Sequence, residues 1–323
     1  MVLVHETIST KLSLHTSSGF DATYEGNTGD FWLAGGIPQG GYLLALIIDA
    51  TTRFQSTTTS PDPIHVTAHY IQSGVCNAPF HINVRVLKKG KLLTNILADF
   101  VQQNKLRISA HLMFGTLHAP LPTTPYTRRL PLYRHPSTAP VRGADHYVHT
   151  STLKDYIQLS AEPEIAERNS ANSPTRTDEQ TYGDGGIYWG GWYTLTHTAD
   201  KLTPPLYAIF CDILLNRADH DPNADPYANW YPTTTMNIEF KSALPRTSAQ
   251  RTIGSYSTSS LLLNEPNKRH NTTIELWSAP TNLGEGKEAR GWRDEQVCLA
   301  VAHQMAMIVP MVSQRPEKRD TKL

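Results

Sequence analysis

One apolar segment occurs twice in the chain and limits its fold more than any other feature. Residues 43–50, LLALIIDA, match residues 206–213, LYAIFCDI, with Asp49 opposite Asp212. Each segment is apolar on nearly all sides of a helix, so we expect both helices to be buried. Both runs are far shorter than the roughly 20 apolar residues that span a bilayer. The chain therefore contains two similar units, each built around a buried helix with one aspartate.

Strand-like segments follow each helix in the same order. Residues 63–71 match residues 232–240, and residues 96–103 match the strand that contains Gln304, with Gln103 opposite Gln304. The offset between matched residues rises from 163 at the helices to 169 and then 201. Insertions between strands produce such a rise, and the shared order indicates an internal duplication. We predict an α+β fold in which two curved antiparallel sheets, each wrapped around one helix, join edge to edge.

The composition changes between the two units. Residues 119–185 are rich in Pro, Ser and Thr, which predicts a linker with little regular structure and a helical turn within it. We predict a first unit at 1–118, this linker, a second unit at 186–315 and a charged tail at 316–323. The tail ends in Thr-Lys-Leu, one residue away from the peroxisomal signal Ser-Lys-Leu. A cytoplasmic and a peroxisomal location therefore both stay open.

The overall composition excludes several classes of function. The 29 basic and 29 acidic residues cancel, which argues against a nucleic-acid or membrane-surface binder. The 14 histidines and 3 cysteines show no metal-ligand spacing, so we expect no metal. No Walker, dinucleotide-binding or nucleophile-elbow motif occurs, so we expect no cofactor. The N-terminus lacks a signal-peptide pattern, and the three widely spaced cysteines predict reduced, buried thiols in an intracellular protein.

Five segments together resemble the acyl-CoA thioesterase II family and its fungal thioesterase-like relatives. They are GGIPQGGYLLALIIDA and VRVLKKGKLLTNILADFVQQNK in the first half, and FCDILLN, YPTTTMNIEF and CLAVAHQMAMI in the second. The resemblance covers residues 20–115 and 186–312. It implies a double hotdog fold, a hydrophobic acyl-CoA or related small-molecule substrate, and a homo-oligomer.

The same resemblance implies a set of catalytic residues. In that family an Asp, a Thr and a Gln of the second repeat position a water that hydrolyses the thioester. By resemblance these roles go to Asp212, Thr233 and Gln304. At the equivalent places of the first repeat stand Asp49, Ile64 and Gln103. Since the first half has no hydroxyl in place of the threonine, we expect one active site per chain.

The residue types at these three positions suit thioester hydrolysis. A carboxylate in an apolar helix has a raised pKa and serves as a general base, which is the role expected of Asp212. Thr233 and Gln304 are neutral and can hold the same water by hydrogen bonds. Taken without the resemblance, each of the three also fits a structural role in a helix or strand.

Further candidates for substrate binding lie at the start of each unit. The turn before the first helix exposes backbone amides at Gly40, Gly41 and Tyr42, which are expected to hold the thioester oxygen. Trp189 and Trp192 start the second unit, and they fit either the core or the wall of an acyl pocket.

Two other classes of function stay open beside hydrolysis. Met305 and Ala306 stand where the family has an acidic residue and a glycine. This change, together with the long linker, favours a non-hydrolytic hotdog enzyme of fungal secondary metabolism that cyclises, rearranges or dehydrates a hydrophobic small molecule. The third class is a ligand-binding protein without catalysis, because fold alone does not fix function.

Overall fold

The computed structural model describes residues 2–34, 36–119, 124–143, 152–170, 173, 186–213, 229–260 and 269–310. Its α-helices are α1 (Val4–Thr7), α2 (Gly40–Gln55), α3 (Pro163–Ala166) and α4 (Pro204–Cys211). Short 3-10 helices occupy Thr152–Asp155, Glu167–Asn169 and Trp292–Glu295. The strands of the first half are β1 (Lys11–Leu12), β2 (Ala22–Asn27), β3 (Leu33–Ala34), β4 (Ile37–Pro38), β5 (Asp62–Tyr70), β6 (Pro79–Lys89), β7 (Thr94–Gln102) and β8 (Lys105–Gly115). Those that follow are β9 (Arg142–Gly143), β10 (Ile157–Ala161), β11 (Ile187–Leu195), β12 (Asn229–Trp230), β13 (Thr233–Phe240), β14 (Thr252–Ser260), β15 (Arg269–Ser278), β16 (Cys298–Met307) and β17 (Val309–Pro310).

One antiparallel sheet of thirteen strands connects the two halves of the chain. Its order is β1-β2-β6-β7-β8-β5-β13-β16-β15-β14-β11-β10-β9. Strands β5 and β13 pair at the centre, with Thr67 opposite Asn237. Outward from this pair, β8, β7 and β6 follow β5 on one side, and β16, β15 and β14 follow β13 on the other side. The two halves therefore join edge to edge, which leaves neither central strand unpaired.

The two apolar segments form the helices α2 and α4, and both are buried. Helix α2 packs against β5, β6, β7 and β8, whereas α4 packs against β15 and against α2 itself. Helix α4 begins with two prolines, whose fixed φ suits the first turn, where the backbone N–H has no partner within the helix. It ends at Cys211, so Asp212 lies just beyond the helix rather than within it.

Sheet topology corrects one part of the predicted repeat. Strand β8 lies beside β5 with Leu112 opposite buried Val66, and β16 lies beside β13 with Gln304 opposite buried Met236. The counterpart of β16 is thus β8, and the prediction that matched it with β7 was wrong. Gln103 does not stand in for Gln304, because it lies exposed, at a φ of 52°, just after β7 ends. Neighbouring strands with the same apolar alternation produced the mismatch.

The corrected register also has a signature in the sequence. Residues 110–113, AHLM, match residues 302–305, AHQM, so a leucine takes the place of the glutamine in the first half. When Leu112 is matched with Gln304, the strand pairing makes Pro63 of β5 the counterpart of Thr233 in β13. The prediction had placed Ile64 there. The first half therefore lacks both the hydroxyl and the amide of the second.

The segment between the units contains more regular structure than its composition predicted. Strand β10 pairs with β11 along five residues and belongs to the main sheet. Helix α3 follows it, and Leu130, Leu132 and Ile165 are buried in a second apolar cluster with Trp192. Apolar residues spaced among the prolines bury this segment against the sheet. The unit boundaries at 118, 185 and 315 stay a prediction, and residues 316–323, with the Thr-Lys-Leu end, lie outside the described residues.

The helices, the possible metal ligands and the cysteines bear on the expectations from composition. No helix among the described residues is long and apolar enough to cross a membrane. Within the same described ranges, no group of three or more His, Cys, Asp or Glu side chains is arranged to hold a metal ion. All three cysteines are free, but only Cys211 is buried, and Cys76 and Cys298 are partly exposed.

Candidate active site

Three polar side chains from distant parts of the second half meet at the end of α4. The Thr233 hydroxyl donates to Asp212 Oδ1 at 3.1 Å, and Gln304 Nε2 donates to the same oxygen at 2.5 Å. Gln304 Nε2 also donates to Thr233 Oγ1 at 2.6 Å. Thr233 starts β13 and Gln304 lies in the adjacent β16, so the sheet brings them beside the residue that follows α4. Every residue of the predicted catalytic trio thus contacts the other two.

Alternation along β16 explains which polar residue reaches this cluster. Gln304 is 4% exposed and faces the helices, whereas His303 before it is exposed on the other face. The Oε1 atom of Gln304 is buried and has no hydrogen-bond partner among the described protein atoms. A buried amide oxygen without a partner is costly, so this atom is suited to accept a hydrogen bond from a bound water or ligand.

The N-terminus of α2 supplies the other half of the Asp212 environment. The Gly41 N–H donates to Asp212 Oδ2 at 2.7 Å, and the Gly40 amide adds a further bond to the carboxylate. A helix N-terminus favours a negative charge at this place. In the structure the Gly41 amide is bound to the carboxylate, and the expectation that the amides of this turn hold a thioester oxygen stays a prediction.

Close approach of the two helices explains why a glycine stands at Gly41. A Cβ atom added there would lie 2.3 Å from the carbonyl oxygen of Ala208 and 2.7 Å from Cβ of Asp212. Both distances are below any real contact, and the first involves backbone that cannot rotate away. Gly41 thus allows the first turn of α2 to touch the last turn of α4.

Burial dominates the electrostatics of Asp212. Loss of solvation raises the pKa of its carboxyl from 3.8 to about 6, and the hydrogen bonds from Gly41, Thr233, Gln304 and Gly40 act in the opposite direction. Among the described residues, the partners that touch the carboxylate are neutral donors and none forms an ion pair with it. A carboxyl with a pKa near 6 accepts a proton at neutral pH more readily than an ordinary one, as a general base must.

The corresponding aspartate of the first half has a different environment. Asp49 Oδ2 accepts from Thr10 Oγ1 at 2.7 Å, from Thr10 N at 3.0 Å and from Arg53 Nε at 2.8 Å. The residue that corresponds to Gly41 at the start of α4 is Pro204, which has no N–H to donate. The positions that correspond to Thr233 and Gln304 hold Pro63 and Leu112. The first half therefore has an ion-paired carboxylate in place of one that is bound by neutral donors.

The side chains of Tyr42 and Trp192, two residues predicted to bind substrate, pack within the core. The Tyr42 hydroxyl lies 3.1 Å from the carbonyl oxygen of Thr7 and 2.9 Å from that of Thr28, and its side chain is fully buried. Trp192 is also fully buried, and its indole N–H donates to the carbonyl of Arg134 at 2.9 Å. It lies in the second apolar cluster, on the face of the sheet that points away from α4. The side chains of both are thereby occupied within the core.

Trp189 lies on the opposite face of β11 from Trp192 and belongs to the main core. Its ring stacks on Tyr193 at 4.7 Å, and Tyr193 stacks on Phe210 of α4 at 5.7 Å. The Tyr193 hydroxyl donates to the carbonyl of Ile213 at 3.3 Å. This aromatic row ends beside Asp212, so Trp189 stays a candidate for contact with a hydrophobic group.

Sequence reasoning missed one residue of this site, Tyr70. It is the last residue of β5, and its hydroxyl donates to the carbonyl oxygen of Gly40 at 3.2 Å. The phenol is close enough to Asp212 that the carboxylate adds to the burial effect in raising the pKa of Tyr70. Its strand position, two residues after buried Ala68, indicates that it faces the helices.

The raised pKa of Asp212 predicts a change of stability with pH. A folded-state pKa above the unfolded one stabilises the fold below pH 3.8, and this contribution is lost as the pH rises through about 6. The difference in free energy of unfolding between wild type and Asp212→Asn is therefore expected to shift by about 3 kcal/mol between pH 3.5 and 8, in favour of the variant at high pH. Urea unfolding across this range measures it. Parallel curves for the two proteins would contradict the assigned environment.

Comparison with known proteins agrees with this architecture. Residues 28–115 match the acyl-CoA thioesterase N-terminal domain family. A search of curated protein sequences gave no match. A solved protein of unknown function with a hot dog fold from Alicyclobacillus acidocaldarius is 15% identical, with a TM-score of 0.67 over 95% of this chain and 98% of that one. At this identity the likeness shows the fold, which is a hot dog fold.

Two further solved structures are similar to this chain. A protein from Thermobifida fusca assigned as a thioesterase II is 16% identical, with a TM-score of 0.66 over 94% of this chain and 96% of that one. An acyl-CoA thioesterase II from Mycobacterium marinum is 14% identical, with a TM-score of 0.62 over 95% of this chain and 98% of that one. The resemblance to the acyl-CoA thioesterase II family, first indicated by sequence segments, is confirmed.

Proposed function

We propose that this chain, whose residues 28–115 match the acyl-CoA thioesterase N-terminal domain, hydrolyses the thioester of a hydrophobic acyl group with water. The cluster of Asp212, Thr233 and Gln304 is the catalytic site. The observation that carries the proposal is the Asp212 carboxylate, which neutral donors from Gly41, Thr233 and Gln304 bind among the described residues, while loss of solvation raises its pKa to about 6.

The symmetry of the sheet supports a single site within a double hot dog. Each half contributes one helix and a matching series of antiparallel strands. This arrangement is the one expected of two joined hot dog units. Helix α2 of the first half supplies the amide of Gly41, and the second half supplies the three side chains. The site thus depends on both halves, although the residues proposed for catalysis lie in one.

The chemistry follows from the roles of these groups. Asp212 takes one proton from a water held by Thr233 and Gln304, and the water oxygen forms a bond to the thioester carbonyl carbon. The tetrahedral intermediate then breaks its carbon–sulfur bond. The proton held by Asp212 passes to the leaving thiolate, so the products are a carboxylic acid and a free thiol. Because the thioester is already activated, no covalent enzyme intermediate is required.

The proposed substrate class is an acyl-CoA or a related thioester. This part of the proposal rests on the family match of residues 28–115 and on the aromatic row that ends beside Asp212. That row, formed by Trp189, Tyr193 and Phe210, suits an apolar acyl chain.

A panel of acyl-CoA substrates with different chain lengths tests the proposal, with free thiol as the readout. We expect thiol release that exceeds the uncatalysed rate for at least one hydrophobic acyl chain. Absence of release for every chain length would overturn the hydrolase proposal and favour the non-hydrolytic alternative. Asp212→Asn is the negative control, because it retains the shape of the site.

The pH dependence of the reaction provides an independent prediction. The base must be ionised, so kcat/KM is expected to fall tenfold per pH unit below a midpoint near pH 6. This midpoint is the pKa of Asp212 in the enzyme without substrate. An ordinary exposed carboxylate would give a midpoint near 4. Initial rates between pH 4.5 and 8 locate this midpoint. A flat profile down to pH 4.5 would exclude Asp212 as the base.

A further inference from the structure

We propose that Tyr70 is a positioning residue whose hydroxyl polarises the peptide unit between Gly40 and Gly41 and thereby strengthens the hydrogen bond from that peptide to Asp212. Its kinetic consequence rests on the proposed hydrolase function. The effect on the carboxylate itself does not, and it can be measured without substrate.

Both ends of one peptide unit take part in this arrangement. The Tyr70 hydroxyl donates to the carbonyl oxygen of Gly40 at 3.2 Å. The N–H of the same peptide, on Gly41, donates to Asp212 Oδ2 at 2.7 Å. The hydroxyl, the peptide and the carboxylate therefore form a continuous chain of two hydrogen bonds that point in the same direction.

Packing holds the Tyr70 ring in this position. A Cβ atom on Gly40 would lie 3.0 Å from Cε1 of Tyr70, so the ring rests directly on the first turn of α2. Tyr70 belongs to β5, the strand that joins the two halves through its pairing with β13. The orientation of the Gly40–Gly41 peptide is thus fixed from the central strand of the sheet.

Hydrogen bonds in such a chain reinforce each other. A donor on the carbonyl oxygen withdraws electron density and makes the N–H of that peptide a stronger donor, and the effect is larger in a poorly solvated interior. A stronger donor favours the ionised form of the carboxyl. Burial raises the pKa of the Tyr70 phenol, so it stays protonated and able to donate throughout the working pH range.

The other described groups around Asp212 are uncharged, so the effect of the Tyr70 hydroxyl on the pKa of Asp212 can be measured. The other titratable group close to it in the described chain is the Cys211 thiol of α4, which burial keeps neutral by raising its pKa. Strands β13 and β16 contribute the uncharged Thr233 and Gln304. Changes in the pKa of Asp212 therefore report hydrogen bonding rather than a neighbouring charge.

Tyr70→Phe removes the hydroxyl and keeps the ring on the helix. In NMR spectra, we expect the Gly41 amide proton to move upfield as its hydrogen bond weakens. The pKa of Asp212, from the titration of its carboxyl carbon, is expected to rise by about 0.5 unit. The acid midpoint of kcat/KM is expected to rise by the same amount.

Tyr42→Phe is the matched control. It removes a buried hydroxyl one residue from Gly41, but that hydroxyl contacts the carbonyls of Thr7 and Thr28 instead. We expect this variant to leave the pKa of Asp212 within about 0.1 unit of wild type. An unchanged Gly41 amide and an unchanged Asp212 pKa in folded Tyr70→Phe would overturn the inference. Equal shifts in both variants would also overturn it. If wild type hydrolyses no thioester, the hydrolase proposal fails while the NMR result still decides the role of Tyr70.

Discussion

Replacing Asp212 by asparagine is expected to lower kcat/KM for thioester hydrolysis by at least about 100-fold. The amide has almost the same size but cannot accept a proton from water, and it presents an N–H₂ group to the donors that surround it. Initial rates of thiol release at pH 7.5 measure the loss. Circular dichroism and a thermal melt of the variant verify that the fold is retained.

Asp49→Asn is the control for this loss. Asp49 takes the corresponding place in the first half but is bound to Thr10 and Arg53. We expect its replacement to change kcat/KM by less than about threefold, because its carboxylate is bound away from the three site residues and a partly exposed ion pair contributes little to the stability of the fold. Equal losses for the two variants would show that the proposed difference between the halves does not exist. A loss below about tenfold for Asp212→Asn would move the general base to another residue.

Replacing Gly41 by alanine is expected to reduce kcat/KM by about 100-fold, the scale of a displacement of about 1 Å at a catalytic group. The new methyl group would lie 2.3 Å from the carbonyl oxygen of Ala208, so α2 and α4 must move apart. The movement also weakens the bond between the Gly41 amide and Asp212. Overpacking of this kind lowers the free energy of unfolding by about 2 kcal/mol. Rates of thiol release and urea unfolding measure the two effects.

Gly74→Ala provides the comparison for this variant. Its added methyl group would lie 2.5 Å from Cδ1 of the buried Leu43 side chain, so it meets side-chain rather than backbone atoms. We expect Gly74→Ala to retain at least about a third of the activity, since the end of a side chain can shift to relieve a contact that backbone cannot. Wild-type activity in Gly41→Ala would contradict this account, because it would mean that the site tolerates separation of the two helices.

Much of the architecture was predictable because duplication leaves a repeated pattern in the sequence. Two apolar helices, each with an aspartate, implied two buried elements, and the order of the strands after them implied two matching sheets. The contact between Asp212, Thr233 and Gln304 was predicted through family resemblance. Local sequence alone does not bring together residues separated by as many as 92 positions.

Strand pairing could not be read from the alternation of apolar residues. Strands β7 and β8 are both long and alternating, so the match to β16 was assigned to the wrong one. The order of the sheet identifies β8 as its counterpart, with Leu112 in place of Gln304, and the short match of AHLM to AHQM agrees with it. Similarly, the Pro-rich segment formed β10 because five residues within it find a partner in β11.

The roles of Gly41 and Tyr70 could not be predicted from the sequence either. A glycine-rich turn before a helix fits a ligand site as well as close packing, and the structure shows that Gly41 permits the contact between α2 and Ala208. Tyr70 reaches the site from the other half of the chain, through a contact that no local pattern encodes. By contrast, the three-residue spacing of Trp189 and Trp192 in a strand already implies opposite faces.

A single-turnover reaction in ¹⁸O-labelled water tests the central claim most directly, that Asp212 activates a water which attacks the thioester. Enzyme in excess over acyl-CoA is quenched after one turnover, and the fatty acid is analysed by mass spectrometry. Direct attack by water predicts that the acid carries one ¹⁸O atom from the first turnover. An acid that contains no ¹⁸O, with the label found in the side chain of Asp212, would contradict this account, because it requires attack by the carboxylate itself.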